Sequence, residues 1–265
     1  MPVVPVGSHS VYYEEYGAGH PLVLIAGLSH SRLVWWKQIE QLSRRYRVIT
    51  PDNRDAGDSA PGTGPYSIAD MASDMKGLIQ HLDLGPVYLL GWSMGGYISL
   101  EMSLRYPGCV DKLILVATSA GGPSHIPPTP EMTTALFPRE NENIEALLQR
   151  INPILAGPGY MESHPEDLEQ MISHGRAKTM SRKSFQRQFA AITSWKGVSD
   201  RLDQITIPAL VVHGNTDPLV PYPNGRYLAS HIKGAKFLTY HNVGHLLPVE
   251  AAERFNTDIM EFFGN

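Results

Sequence analysis

The chain has 265 residues, 42% of them hydrophobic and 18% charged, with a net charge of -4. This is the composition of a globular protein with ample material for a large core, and it gives no electrostatic case for nucleic acid or for an anionic membrane surface. A single cysteine, Cys109, excludes intramolecular disulfides and a thiolate metal cluster and reads as a structural thiol; no apolar run reaches transmembrane length; and Met1–Gly7 lacks the basic and apolar regions of a signal peptide, so a cytoplasmic protein is expected.

Residues 10–16 are β-prone and end in the turn Gly17-Ala18-Gly19, which predicts an edge strand or one arm of a hairpin. Pro21–Ile25 is a short continuous apolar run, the pattern of a strand buried on both faces. The spacing of Trp36, Ile39 and Leu42 predicts a helix over 35–46, and Arg47–Thr50 a second buried strand ended by Pro51. Ser67 stands as an N-cap before a helix over 68–82, whose apolar residues at 68, 71, 72, 75, 78, 79 and 82 form one stripe. Val87–Leu90 is a strand, Tyr97–Leu104 a helix and Leu113–Val116 a further strand. Short buried strands alternating with amphipathic helices predict an α/β fold with a mostly parallel sheet flanked by helices.

The rhythm breaks between about 120 and 197, where no buried strand is predicted. A proline-rich loop is followed by helical segments near 143–151, 165–178 and 184–195. We read 120–197 as a helical cap, or lid, inserted into a core domain made of 1–119 and 198–265. The basic residues between Arg176 and Arg187 read as a solvated helix face. Strands return at 209–213 and 236–240, with helices over 222–232 and 249–263.

Chemistry concentrates at Gly91-Trp92-Ser93-Met94-Gly95-Gly96, where strand, abrupt turn and helix put a serine at the apex. G-x-S-x-G in that setting is the nucleophile elbow: strand and helix pass so closely that side chains at 91 and 95 would collide, and the first helical N–H groups favour developing negative charge. A serine hydroxyl needs a base to take its proton, and the base needs a group to fix its tautomer. Functional side chains in open α/β sheets collect after the carboxyl ends of strands. Asp217 follows the strand 209–213 and His245 the strand 236–240, which makes the order Ser, Asp, His. Asp200 and Asp203 precede their strand, at its wrong end; His241 shares a loop with His245; His213, at a strand end, reads as a packed structural histidine. No H-E-x-x-H occurs and the eleven histidines are scattered, so no metal and no cofactor are expected.

With these residues the chain resembles the α/β-hydrolase fold superfamily over nearly its whole length, and within it serine esterases and lactonases: enol-lactonases, acyl-homoserine lactonases and cofactor-free haloperoxidase (perhydrolase) esterases. The resemblance rests on Gly91–Gly96, on Asp52–Ser59, similar to D-x-R-G-x-G-x-S, on His213–Pro221, and on Gly244-His245 followed by Pro248-Val249-Glu250. It implies Ser93 as nucleophile, His245 as general base and then acid, Asp217 as the orienting acid, and an oxyanion hole from the N–H groups of Met94 and Leu28. Two positions depart from the pattern. Ala26 replaces the usual histidine before Gly27, which is expected to change the loop's support and not its donors. Asp55 replaces the loop's first glycine, which alters a turn or adds an ion pair.

Pocket candidates are Ser29, His30, Trp92, Leu155 and Trp195, the last equally well read as core. The expected reaction is hydrolysis of a small carboxylic ester or lactone through an acyl-enzyme. Perhydrolysis and C–C bond hydrolysis use the same triad, and a ligand receptor on the same fold is the non-enzymatic alternative. Oligomeric state leaves no mark in the sequence.

Overall fold

The structure, a computed structural model, describes residues 2–7 and 9–264, so Met1, Ser8 and Asn265 lie outside the described residues. Eight strands form one sheet: β1 (Val3–Val6), β2 (His9–Tyr16), β3 (His20–Ile25), β4 (Tyr46–Pro51), β5 (Val87–Trp92), β6 (Val110–Val116), β7 (Ala209–Gly214) and β8 (Lys236–Tyr240). Their spatial order is β1-β2-β4-β3-β5-β6-β7-β8. β2 pairs antiparallel with both β1 and β4, and the remaining pairs are parallel. Residues 10–16 are therefore a hairpin arm, and the edge belongs to β1, where Pro5 costs little because an edge strand has one unpaired side.

The central strands are apolar on both faces because both faces are covered. Leu22 and Leu24 of β3 join one core cluster, Val23 and Ile25 the other; β6 splits in the same way into Leu113 and Leu115 against Ile114 and Val116. Each such side chain contributes about 1.5–3 kcal/mol by leaving water. On the face of Val23 and Ile25 lie α2 (Ile68–His81), α3 (Met94–Arg105) and α9 (Pro223–His231); on the face of Leu22 and Leu24 lie α1 (Trp36–Leu42) and α11 (Ala252–Gly264).

Ser67 caps α2 as expected, and Asp70 returns the bond in a capping box. The predicted helix over 35–46 is shorter. A 3-10 turn, Arg32–Trp35, precedes α1, and the chain leaves the helix at Ser43 to enter β4. The single closing helix predicted over 249–263 is two pieces, α10 (Leu247–Glu250) and α11, broken at Ala251 with φ −127° and ψ 34°.

Between β6 and β7 the described residues contain no strand. They form α4 (Pro130–Ala135), α5 (Ile144–Leu155), α6 (Tyr160–Ser163), α7 (Pro165–Ala177) and α8 (Arg182–Ser194). Thr129, Asn143 and Ser181 cap α4, α5 and α8 with side-chain oxygens. α4 and α6, both short, were not predicted. The chain runs from β3 outward to β4 and then returns to place β5 on the other side of β3, so the direction of winding reverses between β3 and β5. Crevices at such a reversal are where α/β sheets hold ligands. Among the described residues no helix is long and apolar enough to cross a membrane.

Candidate functional site

Ser93 sits directly after β5 with φ 57° and ψ −121°, a strained conformation for a residue with a Cβ. Its backbone is held from both sides. Its N–H donates to Val116 O at 2.9 Å, and its carbonyl accepts Gly96 N–H and Thr118 Oγ1, each at 2.8 Å. A Cβ at Gly91 would strike the carbonyl of Gly95, and one at Gly95 the carbonyl of Ile25 at the end of β3. The elbow glycines thus serve close approach within the turn and against the neighbouring strand.

The structure brings Ser93, His245 and Asp217 together from three strand ends. His245 Nε2 lies 3.0 Å from Ser93 Oγ, and its Nδ1 lies 2.8 Å from Asp217 Oδ2. Asp217 is buried, and its Oδ1 accepts the N–H groups of Leu219 at 2.9 Å and Val220 at 2.8 Å. Burial by itself raises this carboxyl's pKa; the facing imidazoles of His245 and His213 outweigh it and hold the group at about 2. With Asp217 ionised, the Nδ1 proton of His245 is fixed toward it and Nε2 is free to accept from Ser93 Oγ. His213 is more than a packed histidine. Its Nε2 donates to Val220 O at 2.8 Å and stands 3.4 Å from Asp217 Oδ2, so it braces the acid.

Gly27 and Leu28 cross in front of Ser93, and a Cβ on Gly27 would lie 3.1 Å from that of Ser93. Met94 is the first residue of α3, so its N–H has no partner within the helix. In place of the usual histidine at 26, Asn53 Nδ2 donates to Ala26 O at 2.9 Å and supports the loop from β4. Of the two outcomes left open at Asp55, the structure has the ion pair and keeps the turn. Asp55 adopts φ 69°, the left-handed conformation glycine would take, and its carboxylate pairs with Arg187 of α8 and accepts Tyr66 OH at 2.8 Å.

A cavity of about 460 Å³ opens above Ser93 and His245. Its wall includes the expected Leu28, Ser29, His30, Trp92 and Leu155. Its roof comes from the insertion, with Ile144, Leu148, Ile151 and Phe185. His30 stacks edge-on to Trp92 at 4.8 Å and its Nδ1 donates to Leu28 O at 2.9 Å. Burial lowers its pKa to about 4, so the ring is neutral near pH 7 and offers Nε2 as an acceptor. Trp195 is not part of this wall, and of its two readings the core one holds. Its ring stacks on Tyr97 at 4.6 Å and its Nε1 donates to Glu101 Oε1 at 2.8 Å, which commits it to the back of α3.

Three supporting residues were not singled out from the sequence. Glu250 accepts the N–H groups of Gly244 at 3.0 Å and Gly157 at 2.6 Å. Gln188 bonds both the loop after β3 and the loop after β4, and Asn53 joins the same two loops directly. Glu250 and Asn53 carried a signal only as members of the runs after His245 and after the second buried strand; Gln188 carried none. Among the described residues no group of His, Cys, Asp and Glu is arranged to hold a metal ion.

The alpha/beta hydrolase fold family model matches residues 20–252. A protein named as a carbamate hydrolase from Agrobacterium fabrum is 28% identical over 258 residues, covering 95% of this chain and 97% of its own. A 2-hydroxy-6-oxononadienedioate/2-hydroxy-6-oxononatrienedioate hydrolase from Paraburkholderia phymatum is 30% identical over 266 residues, covering 96% and 91%. Among solved structures, the enol-lactonase from Burkholderia xenovorans LB400 superposes over 100% of both chains with a TM-score of 0.86 at 26% identity. With an eight-stranded sheet of this order, a serine at the elbow after β5 and these relatives, the chain belongs to the α/β hydrolase fold family.

Proposed function

We propose that this hydrolase cleaves uncharged carboxylic esters or lactones through an acyl-enzyme on Ser93. The observation that carries the reading is the chain of contacts from Asp217 Oδ2 through His245 to Ser93 Oγ, at 2.8 and 3.0 Å, beneath a largely apolar cavity. His245 Nε2 takes the Ser93 proton as Oγ attacks the carbonyl carbon. The oxygen that becomes negative is met by the N–H groups of Leu28 and Met94. Collapse expels the alcohol, which takes the proton from His245; a water then repeats the sequence and releases the acid. Residues 120–197 act as the cap that roofs the cavity and selects what reaches Ser93.

The lining favours an uncharged substrate. Its cations are Lys178, paired with Asp58 at 2.6 Å, and Arg182, exposed at the start of α8, while His30 is neutral. A dicarboxylate, the substrate class named for the Paraburkholderia relative, would meet in these groups one cation already paired and one exposed at the start of α8. The likeness to an enol-lactonase over 100% of both chains supports the lactone branch. C–C bond hydrolysis is the second reading, favoured by the relative at 30% identity.

The test is a panel of short p-nitrophenyl esters, lactones, a vinylogous diketo acid and peracid formation, run on wild type, Ser93→Ala, Asp217→Asn and Asp203→Asn. Esters or lactones are expected to turn over, with losses of at least about 10³-fold for the first two variants and little change for the third. Wild-type turnover no better than that of Ser93→Ala would sink the reading.

A further inference from the structure

α8 belongs to the insertion, yet one of its side chains reaches the loop that carries Leu28. Gln188 is fully buried. Its Oε1 accepts the backbone N–H of Ser29 at 2.9 Å, and its Nε2 donates to the carbonyl of Arg54 at 2.6 Å. The amide's orientation follows from its partners, since one can only donate and the other only accept. Ser29 has φ 62°, a left-handed conformation that a serine keeps only when its surroundings impose it. On the other side of the same loop Asn53 Nδ2 donates to Ala26 O at 2.9 Å. The segment Gly27-Leu28 is therefore held at one end by the core and at the other by the insertion. It has little room to move, because Gly27 already lies against Ser93.

We infer that Gln188 is a positioning residue for the reaction at Ser93: through Ser29 it fixes the direction of the Leu28 N–H, so the oxyanion hole is complete only while this amide is bonded to Ser29. The inference rests on the reading of Leu28 as an oxyanion donor. Such a donor works only when it lies about 2.7–3.1 Å from the oxygen in its charged state. A loop freed at Ser29 loses that aim, whereas the substrate's hold on the apolar cavity is unchanged. The loss therefore falls on the transition state and not on ground-state binding. Docking of the helix as such is a separate matter, because Arg187, the adjacent residue, makes its own ion pair with Asp55.

The experiment compares wild type, Gln188→Leu, Gln188→Ala and Arg187→Met on one p-nitrophenyl ester. Each is also titrated with a trifluoromethyl ketone, whose adduct on Ser93 carries an oxyanion. Gln188→Leu is expected to lose about 10- to 100-fold in kcat with KM within about twofold, and Ki for the ketone rises in step with kcat/KM. Gln188→Ala leaves space for a water to satisfy Ser29 N–H and Arg54 O, so it folds if the leucine variant does not, and loses about tenfold in kcat. Arg187→Met stays within about threefold. Gln188 variants with wild-type kcat, or an Arg187→Met loss as large as theirs, overturn the positioning role. Wild type no faster than Ser93→Ala overturns the hydrolase reading itself, and the positioning role with it.

Discussion

The carbonyl oxygen of Leu155, the last residue of α5, accepts the backbone N–H of His245 at 2.7 Å. A residue of the insertion thus holds the histidine at its main chain, and Trp92 Nε1 holds the carbonyl of the same residue at 3.0 Å. Gly244 is needed here because a Cβ would strike the Leu155 oxygen. The geometry at Ser93 consequently depends on contacts that cross from core to insertion.

Glu250 ties these contacts together. Its carboxylate accepts Gly244 N–H in the histidine loop and Gly157 N–H just after α5. Glu250→Ala leaves both donors without their partner and is expected to cost about 2–4 kcal/mol in stability, from two hydrogen bonds to a charged group in a partly buried setting. kcat should fall by about tenfold or more as His245 loses its fixed approach to Ser93. Chemical denaturation together with kcat of the variant checks this, and unchanged kcat in a destabilised protein would show that His245 is held without Glu250.

Asp217 makes stability depend on pH. Its carboxyl is held at about 2 against an ordinary value of 3.8, so the folded state binds the proton less readily than the unfolded chain. The stabilisation is fully present above pH 3.8 and is lost as pH falls toward 2. A shift of this size corresponds to about 2 kcal/mol. Asp217→Asn removes the titrating group, so the difference in unfolding free energy between wild type and variant should shrink over that window. Urea titrations at several acidic pH values measure it, and a difference that stays constant from neutral pH to pH 2 would contradict the assignment.

The sheet, the elbow turn and the strand-end positions of Ser93, Asp217 and His245 were legible because each leaves a local mark. Buried strands are continuous apolar runs such as Leu113–Val116, and an elbow needs glycine at fixed offsets from Ser93. The supports were not legible because their partners are distant in sequence. Gln188 reaches Ser29 across 159 positions, and nothing in the polar face of α8 marks it out. Asp55 was visible as a departure, but choosing the ion pair needed Arg187, 132 positions away. Helices α4 and α6 were missed because six and four residues carry too little periodicity. The break at Ala251 was missed because the apolar spacing runs through it.

Trp195 and Trp92 separate packing from substrate contact. Both are indoles near the elbow, but Trp92 lines the cavity and touches His30 and His245, whereas Trp195 stacks on Tyr97 behind α3. Trp195→Phe keeps the stacked ring and loses the bond from Nε1 to Glu101, a hydrogen bond to a charged acceptor. It is expected to cost about 1.5–3 kcal/mol of stability and to leave KM and kcat within about twofold. Trp92→Phe loses the Nε1 bond to His245 O and opens the cavity wall, so kcat falls and the preference among acyl chain lengths shifts. Side-by-side kinetics on esters of two, four and eight acyl carbons decide the matter. A change of chain-length preference in Trp195→Phe would return that residue to the substrate's path, through a movement of α8 that carries its ring off Tyr97.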